Sequence, residues 1–327
     1  MELDRYDYYL PRELIAQRPV EPRDHSRLMV LGEKIEHRLF YEIINYLERD
    51  DTLVFNNSRV IRARLYGRKT TGGKVELLAL SPSGNTFLVK GKNIKEGSII
   101  KVGEYSGEVK EKNGGIARID FGVPVMDIIN RYGQMPLPPY IKERIENPDR
   151  YQTVYASVNG SIASPTAGLH FTEDLLRKIR EKGVNIVYIT LHISYATFKE
   201  LTQEEIEKNR LHSEFFSISE EAAESLNNPP GRVFAVGTTV IRALESSSVG
   251  GKIVPGFSET DLFIRPPYKF KYKTDGLITN FHIPRSSLLM LVSAYAGYGR
   301  IMDAYKIAVQ ERYRFYSFGD AMFIMNH

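Results

Sequence analysis

The strongest constraint on the fold is a change in hydrophobic period partway along the chain. Between residues 62 and 121 the apolar residues come in short runs: Lys74-Val75-Glu76-Leu77-Leu78-Ala79-Leu80, Thr86-Phe87-Leu88-Val89 and Ser98-Ile99-Ile100-Lys101-Val102. Gly72-Gly73, Ser83-Gly84-Asn85 and Asn113-Gly114-Gly115 punctuate them. Short runs with turn residues at such intervals predict an all-β barrel or sandwich. A short helix over 125–132 follows, then Met135-Pro136-Leu137-Pro138-Pro139-Tyr140, whose proline density makes a stiff domain exit.

Beyond about residue 160 the pattern changes to strands alternating with helices. Residues 171–182 read as a helix, with Thr172 as N-cap, Glu173 and Asp174 in the first turn and Gly183 at the end. A strand over 184–192 follows. Thr202 and Glu205 form a capping box for 202–208, and Ser219 caps a helix through Leu226. A strand over 232–236 runs into Gly237-Thr238-Thr239 and a helix to Ser246. Another strand covers 277–281, and Ser286 starts a helix toward Gly297. Upstream, 51–55 reads as a strand before Asn56-Asn57-Ser58-Arg59. These elements predict an α/β domain with a mixed or parallel sheet, formed by residues 1–60 and 136–327, and a β-barrel inserted at 61–135. The length of 327 residues agrees with two domains, because single cores seldom grow beyond roughly 250–300 residues.

The net charge of +4 is unevenly distributed. The segment 59–118 holds 13 Lys/Arg against 5 Asp/Glu, whereas the rest of the chain holds 31 Lys/Arg against 35 Asp/Glu. A localised basic surface attracts polyanions, nucleic acid above all. The same charge is also compatible with a solvated surface that keeps a small β domain soluble. With no cysteine there is neither a disulfide nor a thiolate nucleophile. The longest apolar run, 288–296, falls far short of the ~20 residues of a membrane helix. Met1-Glu2-Leu3-Asp4-Arg5 lacks the features of a signal peptide, so a cytoplasmic location is expected.

Four of the seven histidines, His170, His192, His212 and His282, cluster in the C-terminal half of the chain. Imidazole exchanges protons near neutral pH, which marks these four as candidates for catalysis. Open α/β sheets bind ligands outside the carboxyl ends of their strands. His192 and His282 are predicted there, with Gly237-Thr238-Thr239 offering a helix start to a carboxylate or phosphate; His170, just before a helix, could face the same crevice. Taken singly, a histidine at a strand end is more often a hydrogen-bonded filler than a catalyst, and Gly-Thr-Thr before a helix is commonly just a cap. The four are widely spaced and include no His-x-His or His-Glu-x-x-His pair, so nothing supports a metal site. No nucleophile elbow, phosphate loop or dinucleotide-binding turn is present. Basic and aromatic residues alternate from Arg265 to Lys273 and from Arg312 to Tyr316. In the first segment a strand would put lysines on one face and aromatics on the other. That suits nucleic acid, or an ordinary half-buried strand.

At these residues the chain resembles the S-adenosylmethionine:tRNA ribosyltransferase-isomerases of queuosine biosynthesis, essentially from end to end. The resemblance rests on Leu53-Val54-Phe55-Asn56-Asn57-Ser58-Arg59-Val60, on 135–141, on Tyr151-Gln152-Thr153-Val154-Tyr155, and on 165–171. It continues through His212-Ser213-Glu214, 235–239 with Arg242 and Leu244-Glu245-Ser246, 279–284, 290–294, and Tyr313-Arg314-Phe315 to Gly319-Asp320-Ala321-Met322. It implies a two-domain monomer, with an α/β domain and a β-barrel and without metal or other cofactor. S-adenosylmethionine is consumed as a substrate. Its ribosyl part moves to 7-aminomethyl-7-deazaguanine in a tRNA anticodon and rearranges to an epoxycyclopentane, releasing adenine and methionine. Such a reaction needs a base beside the sulfonium carbon, an acid for the departing adenine and a base to free the amine. The four histidines are the candidates, with no role assigned to any one.

On this resemblance S-adenosylmethionine would contact Thr166, Ala167, Gly168, Phe171, Thr197, Phe198, Gly237, Thr238, Thr239, Arg242 and Asn280. The carboxylate would lie on the Gly237 turn, helped by Arg242, and the sulfonium against Phe171 or Phe198. The tRNA would meet Asn57, Arg59, Arg62, Arg64, Arg68, Lys69, Lys74, Lys269, Lys271 and Arg314. Two departures stand out. Where relatives read His-x-Gly-Ala-Gly-Thr-Phe, this chain has His192-Ile193-Ser194-Tyr195-Ala196-Thr197-Phe198. A non-glycine residue at positive φ costs about 1 kcal/mol or more, which predicts a different loop path. Tyr-Pro-Gly likewise becomes Arg265-Pro266-Pro267. The competing readings are a non-catalytic RNA-binding protein and a histidine-metal hydrolase.

Overall fold

The computed structural model describes residues 2–91, 93–143, 145–195 and 201–326, which divide into two compact units. One is built from the residues through Arg59, Pro138–Val158 and the chain from Ser164 onward; the other from Val60–Leu137 with Asn159–Ala163. The first is an α/β unit around a nine-stranded mixed sheet, the second a closed six-stranded β-barrel.

Four parallel strands form the middle of the sheet, in the order Asn185–Leu191, Thr52–Asn56, Val233–Val236 and Gly276–Asn280. Val54 sits opposite Val187 on one side and Ala235 on the other. Thr52–Asn56 and Val233–Val236 are buried at every position, as expected of parallel strands covered on both faces. Beyond Asn185–Leu191 lie Arg210–Ile218 and Gly256–Leu262, both antiparallel additions. Beyond Gly276–Asn280 come Ala321–Met325, Arg27–Leu31 and Ile35–Leu39, with Arg27–Leu31 parallel to Ala321–Met325. One face packs Phe55, Phe234, Ile278 and Phe323 against Phe40, Phe171, Leu175, Leu176 and Ile179. The other is covered in part by helix Thr238–Ser247, which touches three of the parallel strands.

The helix starts follow from their caps. Thr172 Oγ1 accepts the Leu175 N–H at 3.1 Å ahead of Glu173–Glu181. Ser219 and Ser286 do the same for Glu220–Asn227 and Ser287–Ala296, and Thr202 with Glu205 closes the capping box of Gln203–Lys208. These bonds satisfy N–H groups that have no partner within the helix.

One predicted element is absent. Residues 265–273 form no strand; they wrap around the buried carboxylate of Glu245. Tyr268 OH donates to Glu245 at 2.9 Å, and the Lys271 and Tyr272 N–H groups donate at 2.9 and 3.0 Å. A buried carboxylate needs several donors, and a backbone that supplies them cannot also pair as a strand. The alternation of lysine and aromatic along this segment therefore does not define two strand faces.

In the barrel, Leu65, Leu77, Val89, Ile100, Val109 and Ile119 point inward and are inaccessible to solvent. Closure leaves no unpaired strand edge. Helix Val125–Tyr132 packs Val125, Ile128 and Ile129 against the unit, touching strands Arg64–Lys69 and Lys74–Ser83. On the outside, Arg68 stands opposite both Lys74 and Lys101, and all three are exposed. Among the described residues no helix is long and apolar enough to cross a membrane.

Candidate active site

The carboxyl ends of the four parallel strands place Leu191 before His192, Asn56 before Asn57, Val236 before Gly237, and Asn280 just ahead of Phe281 and His282. The sheet order makes these ends neighbours along one edge. The amide of Asn56 ties them together. It donates to the Leu191 carbonyl at 2.9 Å and to Thr239 Oγ1 at 3.4 Å, and it accepts from the N–H groups of Leu191 and Ser58. Sequence reasoning did not single out Asn56. The only trace of its role was a polar residue ending an apolar run.

Gly237 has φ of 101°, a conformation that favours glycine. A Cβ built there would lie 3.7 Å from that of Ala167, so the 3-10 turn Thr166–His170 abuts the glycine turn. Gly168 is required for a different reason. A Cβ there would stand 1.8 Å from the hydroxyl oxygen of Tyr155.

His170 ends that turn, 4% exposed and stacked on Phe40. Its Nδ1 is 2.7 Å from Ser26 Oγ, while its Nε2 makes no hydrogen bond among the described residues. Burial pulls its pKa down to about 3; Asn280 nearby opposes this, and the charges of Arg314, Arg23 and Arg150 reinforce it. Asn280 donates to the Tyr316 carbonyl at 3.0 Å, and its Oδ1 is unpartnered among the described residues. His282 is also buried, and burial holds its pKa near 3. Its Nε2 is 2.9 Å from Thr279 Oγ1, its N–H donates to Tyr305 OH, and its carbonyl accepts from Tyr8 OH. His192 is half-buried, its Nδ1 has no partner among the described residues, and burial lowers its pKa too.

His212 differs from the other three. Strand Arg210–Ile218 runs antiparallel to Asn185–Leu191, with Phe216 opposite Leu191, so its first residues overhang the same edge. There His212 is exposed and pairs through Nδ1 with Glu205 at 2.7 Å. Among the described residues no group of three or more metal-ligating side chains could hold a metal ion.

Several expected contacts need correction. Phe171 is fully enclosed between Phe40 and Phe55, so its ring belongs to the core and cannot flank a sulfonium. Arg242 bonds Glu214 and the carbonyls of Leu262 and Thr260, so its donors tie helix Thr238–Ser247 to the outer strands. Arg64 pairs with Glu76 at 3.2 Å and donates to the Leu137 carbonyl, which makes it a framework residue of the barrel. Asn57 accepts from Thr190 and Arg59 donates to the Ala156 carbonyl, though Arg59 is exposed. Arg62, Arg68, Lys74, Lys269 and Lys271 are exposed, Lys69 is half-buried, and Thr166 is partly exposed. Thr197 and Phe198, with Ala196 of the departing loop, lie outside the described residues; Ser194 is held by Glu214 through its N–H at 2.7 Å.

The fold is that of an α/β protein whose strand ends, leading into His192, Asn57, Gly237 and His282, are neighbours along one sheet edge. The particular family follows from comparison with known proteins. The chain belongs to the queuosine biosynthesis protein family, whose model matches residues 3–324. It is 46% identical to the S-adenosylmethionine:tRNA ribosyltransferase-isomerase of Desulforamulus reducens and 48% identical to that of a Thermoanaerobacter species, each alignment covering 99% of this chain and all of the relative. The crystal structure of an S-adenosylmethionine tRNA ribosyltransferase from Thermotoga maritima is similar, with 38% identity, a TM-score of 0.58, and coverage of 98% of this chain and all of that one.

Proposed function

We propose that this protein is a tRNA-modifying transferase. In this reading it moves the ribosyl unit of S-adenosylmethionine onto 7-aminomethyl-7-deazaguanine in a tRNA anticodon and isomerises it to an epoxycyclopentane, releasing adenine and methionine. The observation that carries the reading is the likeness, along the whole of both chains, to relatives bearing that activity in their names. It acts as a cytoplasmic monomer and needs no metal or further cofactor.

The edge geometry fits the proton transfers. Burial keeps the His170 and His282 imidazoles neutral and only weakly basic at pH 7, so a charged substrate group beside them would have to raise that basicity for either to take a proton. With Nδ1 of His170 engaged by Ser26, its Nε2 is the nitrogen that would take a proton. His192, His282 and the exposed His212 complete the set. The Gly237–Thr239 turn would take the methionine carboxylate at the start of its helix, with Thr166, Ala167 and Asn280 beside it. On the barrel, exposed Arg68, Lys74 and Lys101 would meet tRNA phosphates.

Incubating the protein with S-adenosylmethionine and tRNA bearing the aminomethyl base, while following adenine release, tests this reading. No release with correctly modified tRNA would sink it; tight tRNA binding without release would favour an RNA-binding protein. Activity lost to chelators would favour the metal enzyme.

A further inference from the structure

Within the α/β unit, His170 also borders a small pocket of about 20 Å³ lined by Arg23, Arg150, Arg314, Ser26 and Ser317. Three guanidinium groups around so small a volume repel one another, and two have carboxylates to offset this. Arg150 pairs with Glu21 and donates to the Val20 carbonyl, and Arg314 donates to the carbonyls of Arg18 and Phe318 and lies 3.8 Å from Asp320. Arg23 has no carboxylate within ion-pair distance among the described residues. It reaches only the carbonyls of Leu169 and Asp149, at 3.4 and 3.5 Å, the outer limit for a hydrogen bond. Burial, reinforced by Arg150, pulls its pKa down to about 10. On the wall stands the buried His170 ring.

Such a cluster is complementary to a compact anion. Its basic lining suits the oxygens of a phosphate or carboxylate. Arg23 and Arg314 remain partly exposed, so the anion would arrive from the surface, as a group on a polymer does. Guanidinium groups match phosphate oxygens through paired donors. We propose that this pocket receives a phosphate of the tRNA backbone, bound by Arg23, with the positive charges of Arg150 and Arg314 beside it. The proposal rests on the tRNA-modifying reading, and it adds Arg23 and Arg150 to the expected tRNA contacts.

The test is a set of binding measurements on the full chain, using inorganic phosphate, tRNA and S-adenosylmethionine, with Arg23→Gln and Arg23→Lys as variants. Inorganic phosphate should shift the His170 ring resonances saturably in the wild type. In R23Q that binding should weaken about tenfold, as should tRNA affinity. The salt slope of tRNA binding should fall by about 1 in R23Q and stay unchanged in R23K, which keeps the charge. Affinity for S-adenosylmethionine should not change. Unaltered tRNA affinity and slope in R23Q, or no His170 response to phosphate, would overturn the proposal. A loss confined to S-adenosylmethionine would overturn it too, by making the pocket a carboxylate site. None of these measurements requires turnover, so a wild type that released no adenine would count against the enzyme reading alone.

Discussion

Ser26 Oγ and His170 Nδ1 meet at 2.7 Å, although the two residues are far apart in the chain. Ser26 lies between the 3-10 turn Arg23–His25 and strand Arg27–Leu31, and Leu28 and Asn280 both pair with Ala321, so Ser26 orients the imidazole at the edge where the parallel strands end. The bond decides which ring nitrogen is engaged and which is left for chemistry. Ser26→Ala should cost about 1 kcal/mol of stability. It should also lower kcat for adenine release by about tenfold with little change in KM, which steady-state kinetics would reveal. An unaltered kcat would remove His170 orientation from the mechanism.

Acid should destabilise the protein through two buried histidines. His170 and His282 are held near pKa 3, whereas an unfolded imidazole titrates near 6.5. The unfolded chain therefore binds more protons between those values. The stabilisation is complete above about pH 6.5 and is lost as pH falls, by about 1.4 kcal/mol per pH unit for each histidine. Urea unfolding at about pH 7, 6 and 5 should show this slope, and His170→Gln or His282→Gln should flatten it. Equal slopes in wild type and both variants would contradict the argument.

The Arg242–Glu214 pair is buried on both sides. Glu214→Gln would leave an uncompensated guanidinium, expected to cost about 3–5 kcal/mol and to lower Tm accordingly. Because Glu214 also holds the Ser194 N–H, the segment after His192 should loosen, and KM for S-adenosylmethionine should rise. A variant with wild-type Tm would show that the pair contributes little.

Gly168→Ala should be poorly tolerated. The added methyl would overlap the Tyr155 hydroxyl, and the Tyr155 ring is packed 4.8 Å from Phe55, which limits its retreat. Overpacking of this kind costs about 1–3 kcal/mol, readable by thermal unfolding. Displacement of the turn toward Gly237 should reduce adenine release as well.

His212→Ala should change stability by no more than about 0.5 kcal/mol, since the residue is exposed and its pair with Glu205 is a surface one. Loss of turnover at unchanged Tm would then report directly on chemistry at His212. Full activity would remove it from the catalytic set.

Much of the local architecture was legible from residue order. Thr172, Thr202, Ser219 and Ser286 announced their helices because a cap acts within a single turn of chain. The short apolar runs announced a barrel or sandwich, and the strands read at 51–55, 232–236 and 277–281 are found at Thr52–Asn56, Val233–Val236 and Gly276–Asn280. Segment 265–273 misled because its alternation imitates a strand, while the partner that organises it, Glu245, lies well before it in the chain, on helix Thr238–Ser247. Strands Arg27–Leu31 and Ala321–Met325 went unread, since the pairing of Leu28 with Ala321 leaves no trace at either end of the chain.

By itself the sequence determined which segments become helix, strand or turn, where charge accumulates, and which side chains could move protons. All of these depend on near neighbours in the chain. Only the tertiary structure decided which candidates stand together and in what state. Burial made His170 and His282 neutral while leaving His212 in solvent, enclosed Phe171 in the core, turned Arg242 into a tie between elements, and gathered Arg23, Arg150 and Arg314 around one small opening. Desolvation and pairing depend on atoms brought close by the fold, and residue order alone does not contain those distances.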